Sequence, residues 1–246
     1  MNIDQITEQL RKMRLTTMAQ SLKQRLEHED NKELTHLEFI ALLVEDEFYA
    51  RKDRRMRRMI RKANFKPELP CIEDLTYDST RGFTKKDIMP FTTPKWIQDA
   101  LNLVIIGATG TGKTFLAEAI AYQSCRLEYP ALKIRYPLLF EEIHNAKGTG
   151  MYLKFLKKIS TIKVLIIDDF LMNSISEEDA GFLLDVIDEK QQTGSIIITS
   201  QYPIKKWHQK IPDPTISDAI CDRIINRSYK FNLKGESMRK KITNPT

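Results

Sequence analysis

The chain has 246 residues, of which 41% are hydrophobic and 29% charged, with a formal net charge of +6. That length suits one α/β domain of ordinary size with a smaller appendage, and the composition is that of a soluble globular protein. The longest apolar runs, such as Val164-Leu165-Ile166-Ile167, are far too short to span a bilayer, and Cys71, Cys125 and Cys221 make neither a disulfide framework nor a zinc spacing. No basic segment followed by an apolar stretch opens the chain, so the expected setting is reducing and cytoplasmic, with no membrane partner.

The N-terminal third reads as helical. Ile3, Ile6, Leu10, Met13 and Met18 recur at roughly helical spacing, and Leu22 and Leu26 carry the stripe on until Asp30-Asn31 interrupts it. Thr35, with Glu38 three residues later, has the signature of a capping box and opens a second, long helix through Leu37, Ile40, Ala41, Val44 and Phe48 toward Met56, Met59 and Ile60. Two such helices bury little alone, so they are expected to pack on each other, on the second domain or on a partner. The expected division is a helical domain over 1–66, a linker or wrap-around loop over 67–93 punctuated by prolines, and a nucleotide-binding domain over 94–246.

From Pro94 onward a short helix through Leu101 precedes an alternation of apolar strands and amphipathic helices. The candidate strands are 103–106, 132–136, 164–168, 195–200 and 228–233. Short strands that are apolar on both faces and separated by helices indicate an α/β fold with a parallel sheet covered on both sides.

Gly107-Ala108-Thr109-Gly110-Thr111-Gly112-Lys113-Thr114 fills every fixed position of the P-loop pattern, between an apolar strand and a helix beginning near Lys113. Its backbone N–H groups and the positive end of the helix suit phosphate oxygens. The nucleotide-binding candidates are therefore Gly107, Thr109, Gly110, Thr111, Gly112, Lys113, Thr114 and the adjacent Phe115, with Lys113 directed at the β- and γ-phosphates. The Thr114 hydroxyl is the expected Mg²⁺ ligand, together with Asp168 at the end of the strand Val164-Leu165-Ile166-Ile167. Asp169 is placed to polarise the attacking water. The next strand ends in Ser200-Gln201, where a polar side chain beside the Asp168 strand is expected to reach the γ-phosphate or the lytic water. Thr84-Lys85-Lys86-Asp87 matches a guanine-reading pattern but precedes the P-loop, so it is taken as chance and the base as adenine.

A helix opening at Ser217 and running to Arg227 sets Arg223 and Arg227 one turn apart on a shared face. Either residue is a candidate arginine finger acting on a neighbouring subunit, against the plainer reading of two solvated arginines. Arg239, on an expected terminal helix, raises the same choice. The segment Arg51-Lys52-Asp53-Arg54-Arg55-Met56-Arg57-Arg58 and its continuation to Lys66 are almost continuously basic. Arg54, Arg55, Arg57 and Arg58 are the first candidates for DNA phosphates; Lys154, Lys157 and Lys158 are the second, on a helix whose Tyr152, Phe155, Leu156 and Ile159 face inward.

These motifs, in this order, resemble the IstB-like helper ATPases of transposition, relatives of the DnaC-type helicase loaders within the AAA+ class. The resemblance spans nearly the whole chain, including Thr199-Ser200-Gln201-Tyr202-Pro203 and Asp222-Arg223, and is most specific in Lys234-Gly235-Glu236-Ser237-Met238-Arg239. It implies a P-loop NTPase of AAA+ type behind a small N-terminal helical domain. Asp168 and Asp169 become the Walker B motif, Gln201 stands where the first sensor is usually Asn, Arg223 is the trans-acting arginine and Arg239 the second sensor. The resemblance further implies an ATP hydrolase that assembles as an oligomer on double-stranded DNA and recruits and stimulates a partner transposase. A helicase loader docking through its N-terminal helices is the alternative; a P-loop small-molecule kinase, needing an acceptor pocket and lid, is a third.

Overall fold

The computed structural model describes residues 2–27, 34–77 and 79–238. The chain divides into two compact units, Met1–Arg58 and Met59–Thr246.

In the first unit, α1 (Ile3–Lys12), α2 (Thr16–Glu27) and the 27-residue α3 (His36–Lys62, whose last turn passes into the second unit) carry the expected helical stripes. The stripe from Ile3 to Leu26 is not one helix. Arg14, at φ 61, turns the chain: its N–H bonds the Arg11 carbonyl at 2.9 Å, and the Leu15 N–H reaches back to Leu10 at 2.8 Å. That is a Schellman stop with arginine where glycine is the usual occupant. The expected interruption at Asp30-Asn31 lies outside the described residues. The capping box at α3 forms as expected, with Thr35 N–H donating to the Glu38 carboxylate at 2.8 Å and Glu38 N–H to the Thr35 hydroxyl at 3.3 Å.

The face of α3 turned inward is Leu43 and Glu47, whereas Leu37, Ile40, Val44 and Phe48 are exposed. Glu47 explains the choice of face. Its carboxylate accepts the Thr17 and Met18 amides at 2.8 and 2.9 Å, capping α2, and is paired with Arg51 at 2.8 Å and Arg54 at 3.0 Å. Burial pushes the Glu47 carboxyl up, but Arg51 and the two amides outweigh it and hold its pKa below the usual carboxylate range.

The second unit is built on a five-stranded, fully parallel sheet in the order β2-β3-β4-β1-β5. The strands are β1 (Asn102–Gly107), β2 (Ala131–Arg135), β3 (Val164–Asp168), β4 (Ser195–Ser200) and β5 (Ser228–Leu233), within a residue or so of the expected spans. Tyr136, expected to close β2, instead starts α7 (Tyr136–Gly148), because Pro137 occupies the first helical turn.

Alternation along the strands divides the core. Val104, Leu165, Ile167, Ile196 and Ile198 face α7, α8 (Tyr152–Thr161), α9 (Glu177–Thr193) and α10 (Pro214–Ile225). Leu103, Ile105, Val164, Ile166 and Ile197 face the P-loop helix α6 (Lys113–Arg126) and the segment before β1.

That segment includes the residues expected to be a linker. It holds short 3-10 turns and two brief helices, α4 (Lys85–Ile88) and α5 (Lys95–Gln98), and belongs to the second unit. Ile72, Leu75, Phe83, Ile88 and Phe91 are buried in it, and the Phe91 ring meets Trp96, Tyr229 and Phe231 edge to face. Thr84 and Asp87 cap α4, the Asp87 carboxylate taking the Thr84 N–H at 2.7 Å, which gives that motif a local structural use.

Candidate nucleotide site

All five strands end on one edge of the sheet, and the chemistry collects there. A cleft of about 360 Å³ is lined by Thr109, Gly110, Gly112, Lys113, Thr114 and Phe115 from the P-loop, and by Asp169 and Gln201 from the turns after β3 and β4. Gly107 ends β1, and Gly112, at φ 93, is the N-cap of α6. The Lys113 ammonium lies over the loop and donates to the Ala108 carbonyl at 2.8 Å; Thr111 is buried and its hydroxyl donates to the same oxygen at 2.9 Å. Gly110, at φ +85, is held against the C-terminal segment: its carbonyl accepts the Met238 N–H at 2.9 Å, and a Cβ there would come within 2.1 Å of the Ser237 hydroxyl. No side chain fits at position 110.

The acidic strand end is tied to the P-loop by hydroxyls. Asp168 is buried, and its Oδ1 accepts from Thr114 at 2.8 Å and from Thr199 at 2.5 Å. The Thr199 hydroxyl also accepts the Asp169 N–H at 3.0 Å. Asp169 itself sits at φ 59, a left-handed turn that aspartate tolerates better than most residues, and the turn carries its carboxylate toward the cleft. Arg135, at the end of β2, comes within 3.7 Å of that carboxylate.

Neither Thr199 nor Arg135 was picked out as a site residue by sequence. The available signal for Thr199 was a hydroxyl closing an isoleucine run on the strand beside Asp168. Of the Ser200-Gln201 pair, Ser200 is buried and donates to the Phe170 carbonyl at 3.0 Å, so only Gln201 lines the cleft.

Arg223 and Arg227 lie away from the cleft. The Asn102 side chain, at the first residue of β1, donates to the Arg223 carbonyl at 3.1 Å, so Arg223 stands at the amino end of the sheet. At about 3.3 Å per residue, β1 separates it from its own P-loop by roughly 16 Å of strand. Its guanidinium is paired with Asp188 of α9. Arg227 does not share a helical face with it: α10 ends at Ile225, and Arg227 donates to the Asp99 carbonyl at 2.7 Å. Arg239 lies outside the described residues.

Among the basic candidates, Arg54 is committed to Glu47, whereas Arg55, Arg57 and Arg58 are exposed, Arg57 pairing with Asp53 at 2.9 Å. Lys154, Lys157 and Lys158 lie on the exposed face of α8, whose Phe155 and Ile159 are buried. Among the described residues no helix is long and apolar enough to cross a membrane.

An interior strand of the parallel sheet, β1, feeds a glycine-rich loop and helix, and β4 is set between it and the strand ending in Asp168, which is the P-loop NTPase fold of AAA+ type. More closely, the chain belongs to the family described as IstB-like ATP binding protein, whose sequence model matches residues 8–245. It is 33% identical over 233 residues to the insertion sequence ATP-binding protein y4pL of Sinorhizobium fredii, covering 95% of each chain. It is 34% identical over 195 residues to the ATP-binding protein of insertion sequence IS1162 from Pseudomonas fluorescens, covering 79% of this chain and 84% of that one. Among solved structures, the DnaC helicase loader matches with a TM-score of 0.56 at 14% identity, over 67% of this chain and 97% of that one. The replication initiator DnaA bound to AMPPCP and single-stranded DNA matches with a TM-score of 0.59 at 16% identity, over 73% and 54%. At such identities the likeness is one of fold.

Proposed function

We propose that the chain is a Mg²⁺-dependent, cytoplasmic ATP hydrolase that assembles into a higher oligomer on double-stranded DNA and recruits and stimulates the transposase of its insertion sequence. The observation that carries this reading is the meeting of the P-loop with the Thr114–Asp168–Thr199 hydroxyl chain and Asp169 at one cleft, in a chain whose relatives are insertion sequence ATP-binding proteins. Lys113 and the amino end of α6 take the β- and γ-phosphates. Thr114 and Asp168 present hard oxygen donors 2.8 Å apart, a donor set that suits Mg²⁺, and they are the residues to hold it. The ion, when bound there, supplies charge neutralisation at the β- and γ-phosphate oxygens. Asp169 accepts a proton from the attacking water, held in place by the hydrogen bond that its backbone N–H donates to the Thr199 hydroxyl. Gln201 borders the γ-phosphate end of the cleft, and Arg223 completes the site of the adjacent subunit.

Asp169→Asn tests the hydrolytic half of this reading. ATP affinity is expected to stay within about twofold while turnover falls roughly a hundredfold or more, the usual scale of a lost general base. Normal turnover by the variant would move the water-polarising role to another side chain.

The DNA half is tested by salt. Arg55, Arg57 and Arg58 changed together to Ala should flatten the slope of log affinity against log salt by about 0.9 for each phosphate that is no longer neutralised. Arg54 is left in place because it is one of the two arginines paired with the buried Glu47 carboxylate. An unchanged slope there, with a flattened one for Lys154, Lys157 and Lys158 changed together, transfers the DNA surface to α8. Turnover that ignores DNA but rises with a replicative helicase puts the loader reading in its place.

A further inference from the structure

The cleft holds a cation, Arg81, that belongs to none of the nucleotide motifs. Arg81 lies in the segment that precedes β1, yet its backbone is fixed to the end of β5: its carbonyl accepts the Lys234 N–H at 2.9 Å. The next residue, Gly82, is at φ +96 and so close to β5 that a Cβ there would fall 2.0 Å from the Asn232 carbonyl oxygen. From this anchor the Arg81 side chain crosses to the P-loop. Its Nη2 donates to the Thr111 carbonyl at 3.2 Å and stands 3.4 Å from the place a Cβ on Gly112 would take. The side chain lines the same cleft as Lys113, and among the described residues no carboxylate pairs with it.

The chemistry and the topology together assign a ligand. A guanidinium offers five N–H donors in a fixed fork, and the Thr111 carbonyl accounts for one of them. The anchored group has already lost much of its freedom, so engaging an anion costs little further ordering. The strand order β2-β3-β4-β1-β5 puts β5 on one flank of the P-loop strand and β4 and β3 on the other. Asp168 ends β3, and Asp169 and Gln201 follow β3 and β4, whereas Arg81 stands on the β5 flank beside the apolar wall of Leu75 and Phe83.

We propose that Arg81 is a second phosphate-binding cation of the site, acting in cis on the α- and β-phosphates of the nucleotide and not on the γ-phosphate. This rests on the nucleotide-site reading above. Arg81 then contributes equally to ATP and ADP and leaves the chemical step alone.

The test is the affinity of the full-length protein for ATP and for ADP, with kcat, for the wild type, Arg81→Gln and Arg81→Lys, alongside Lys113→Ala. Gln keeps a donor for the Thr111 carbonyl while removing the charge, so the variant should fold and melt like the wild type. It is expected to bind ATP and ADP more weakly by the same factor, roughly ten- to hundredfold as for a lost charge-assisted hydrogen bond, with kcat at saturating ATP within about twofold. Lys should recover part of the loss, since a point charge cannot hold carbonyl and phosphate with one planar fork. Unchanged affinity for both nucleotides in Arg81→Gln overturns the proposal, as does a loss confined to ATP. If the wild type binds nucleotide and Lys113→Ala does not, the site reading stands whatever Arg81 does. If the wild type binds none, both fall together.

Discussion

Lys113→Ala is expected to lose ATP binding altogether in any practical titration, an affinity drop of at least about a hundredfold. Lys113 is only 6% exposed, and its ammonium lies over the P-loop at the amino end of α6, 2.8 Å from the Ala108 carbonyl, where the phosphates must come. Each hydrogen bond between an ammonium and a charged oxygen contributes about 1.5–3 kcal/mol, and the β- and γ-phosphates offer more than one such bond. Alanine is a better helix former than lysine at the first turn, so the fold is expected to survive, with a melting temperature close to that of the wild type. Titration of the folded variant with ATP is the measurement. Near-normal affinity would count against the whole P-loop assignment.

Arg223→Ala should leave nucleotide binding nearly intact and lower turnover by about a thousandfold, the lower end of what an arginine finger supplies. The geometry makes the role a matter of two subunits. Arg223 is fixed at the amino end of β1 by the Asn102 side chain, while the P-loop lies past the carboxyl end of the same strand. An arginine so placed does not reach its own cleft. Specific activity is therefore expected to rise with protein concentration and with DNA that gathers subunits side by side. Mixing Arg223→Ala with Lys113→Ala should restore some activity, because an intact arginine then meets an intact P-loop across the interface. If the mixture is no more active than its parts despite demonstrated co-assembly, Arg223 does not act in trans, and Arg239 is the next candidate. Arg227, whose guanidinium donates to the Asp99 carbonyl, follows it.

β1, β3 and β4 were legible because each is apolar on both faces, whereas the edge strands β2 and β5 alternate, with Leu132 and Ile134 on one face of β2 and Tyr229, Phe231 and Leu233 on one face of β5. The P-loop was legible because its glycines and Lys113-Thr114 are contiguous. What escaped was whatever depends on residues far apart in the chain. Thr199 reads as an ordinary strand former until β4 is seen to lie against β3, where its hydroxyl reaches Asp168. The stop at Arg14 escaped because the left-handed position carries no glycine. Residues 67–93 were read through their prolines, which hid Phe83 and Phe91 as anchors on Phe231 of β5. Along α3 the apolar positions form two faces, and the periodicity alone did not say that the buried one would be chosen by Glu47, a carboxylate, capping α2.

The strand order has a bearing on how the protein is made. β1 is complete at Gly107, but both of its neighbours come later, β4 ending at Ser200 and β5 at Leu233. At about 5–20 residues per second of synthesis, β1 waits roughly 6–25 seconds for its second edge. Throughout that interval Leu103, Val104 and Ile105, all fully buried in the finished sheet, form a β-prone apolar segment with unpaired backbone. The wall of the cleft formed by Leu233 and Met238 is added last, so the nascent chain acquires its nucleotide pocket only as translation nears residue 238. How well that first strand is shielded in the meantime bears directly on the yield of soluble protein.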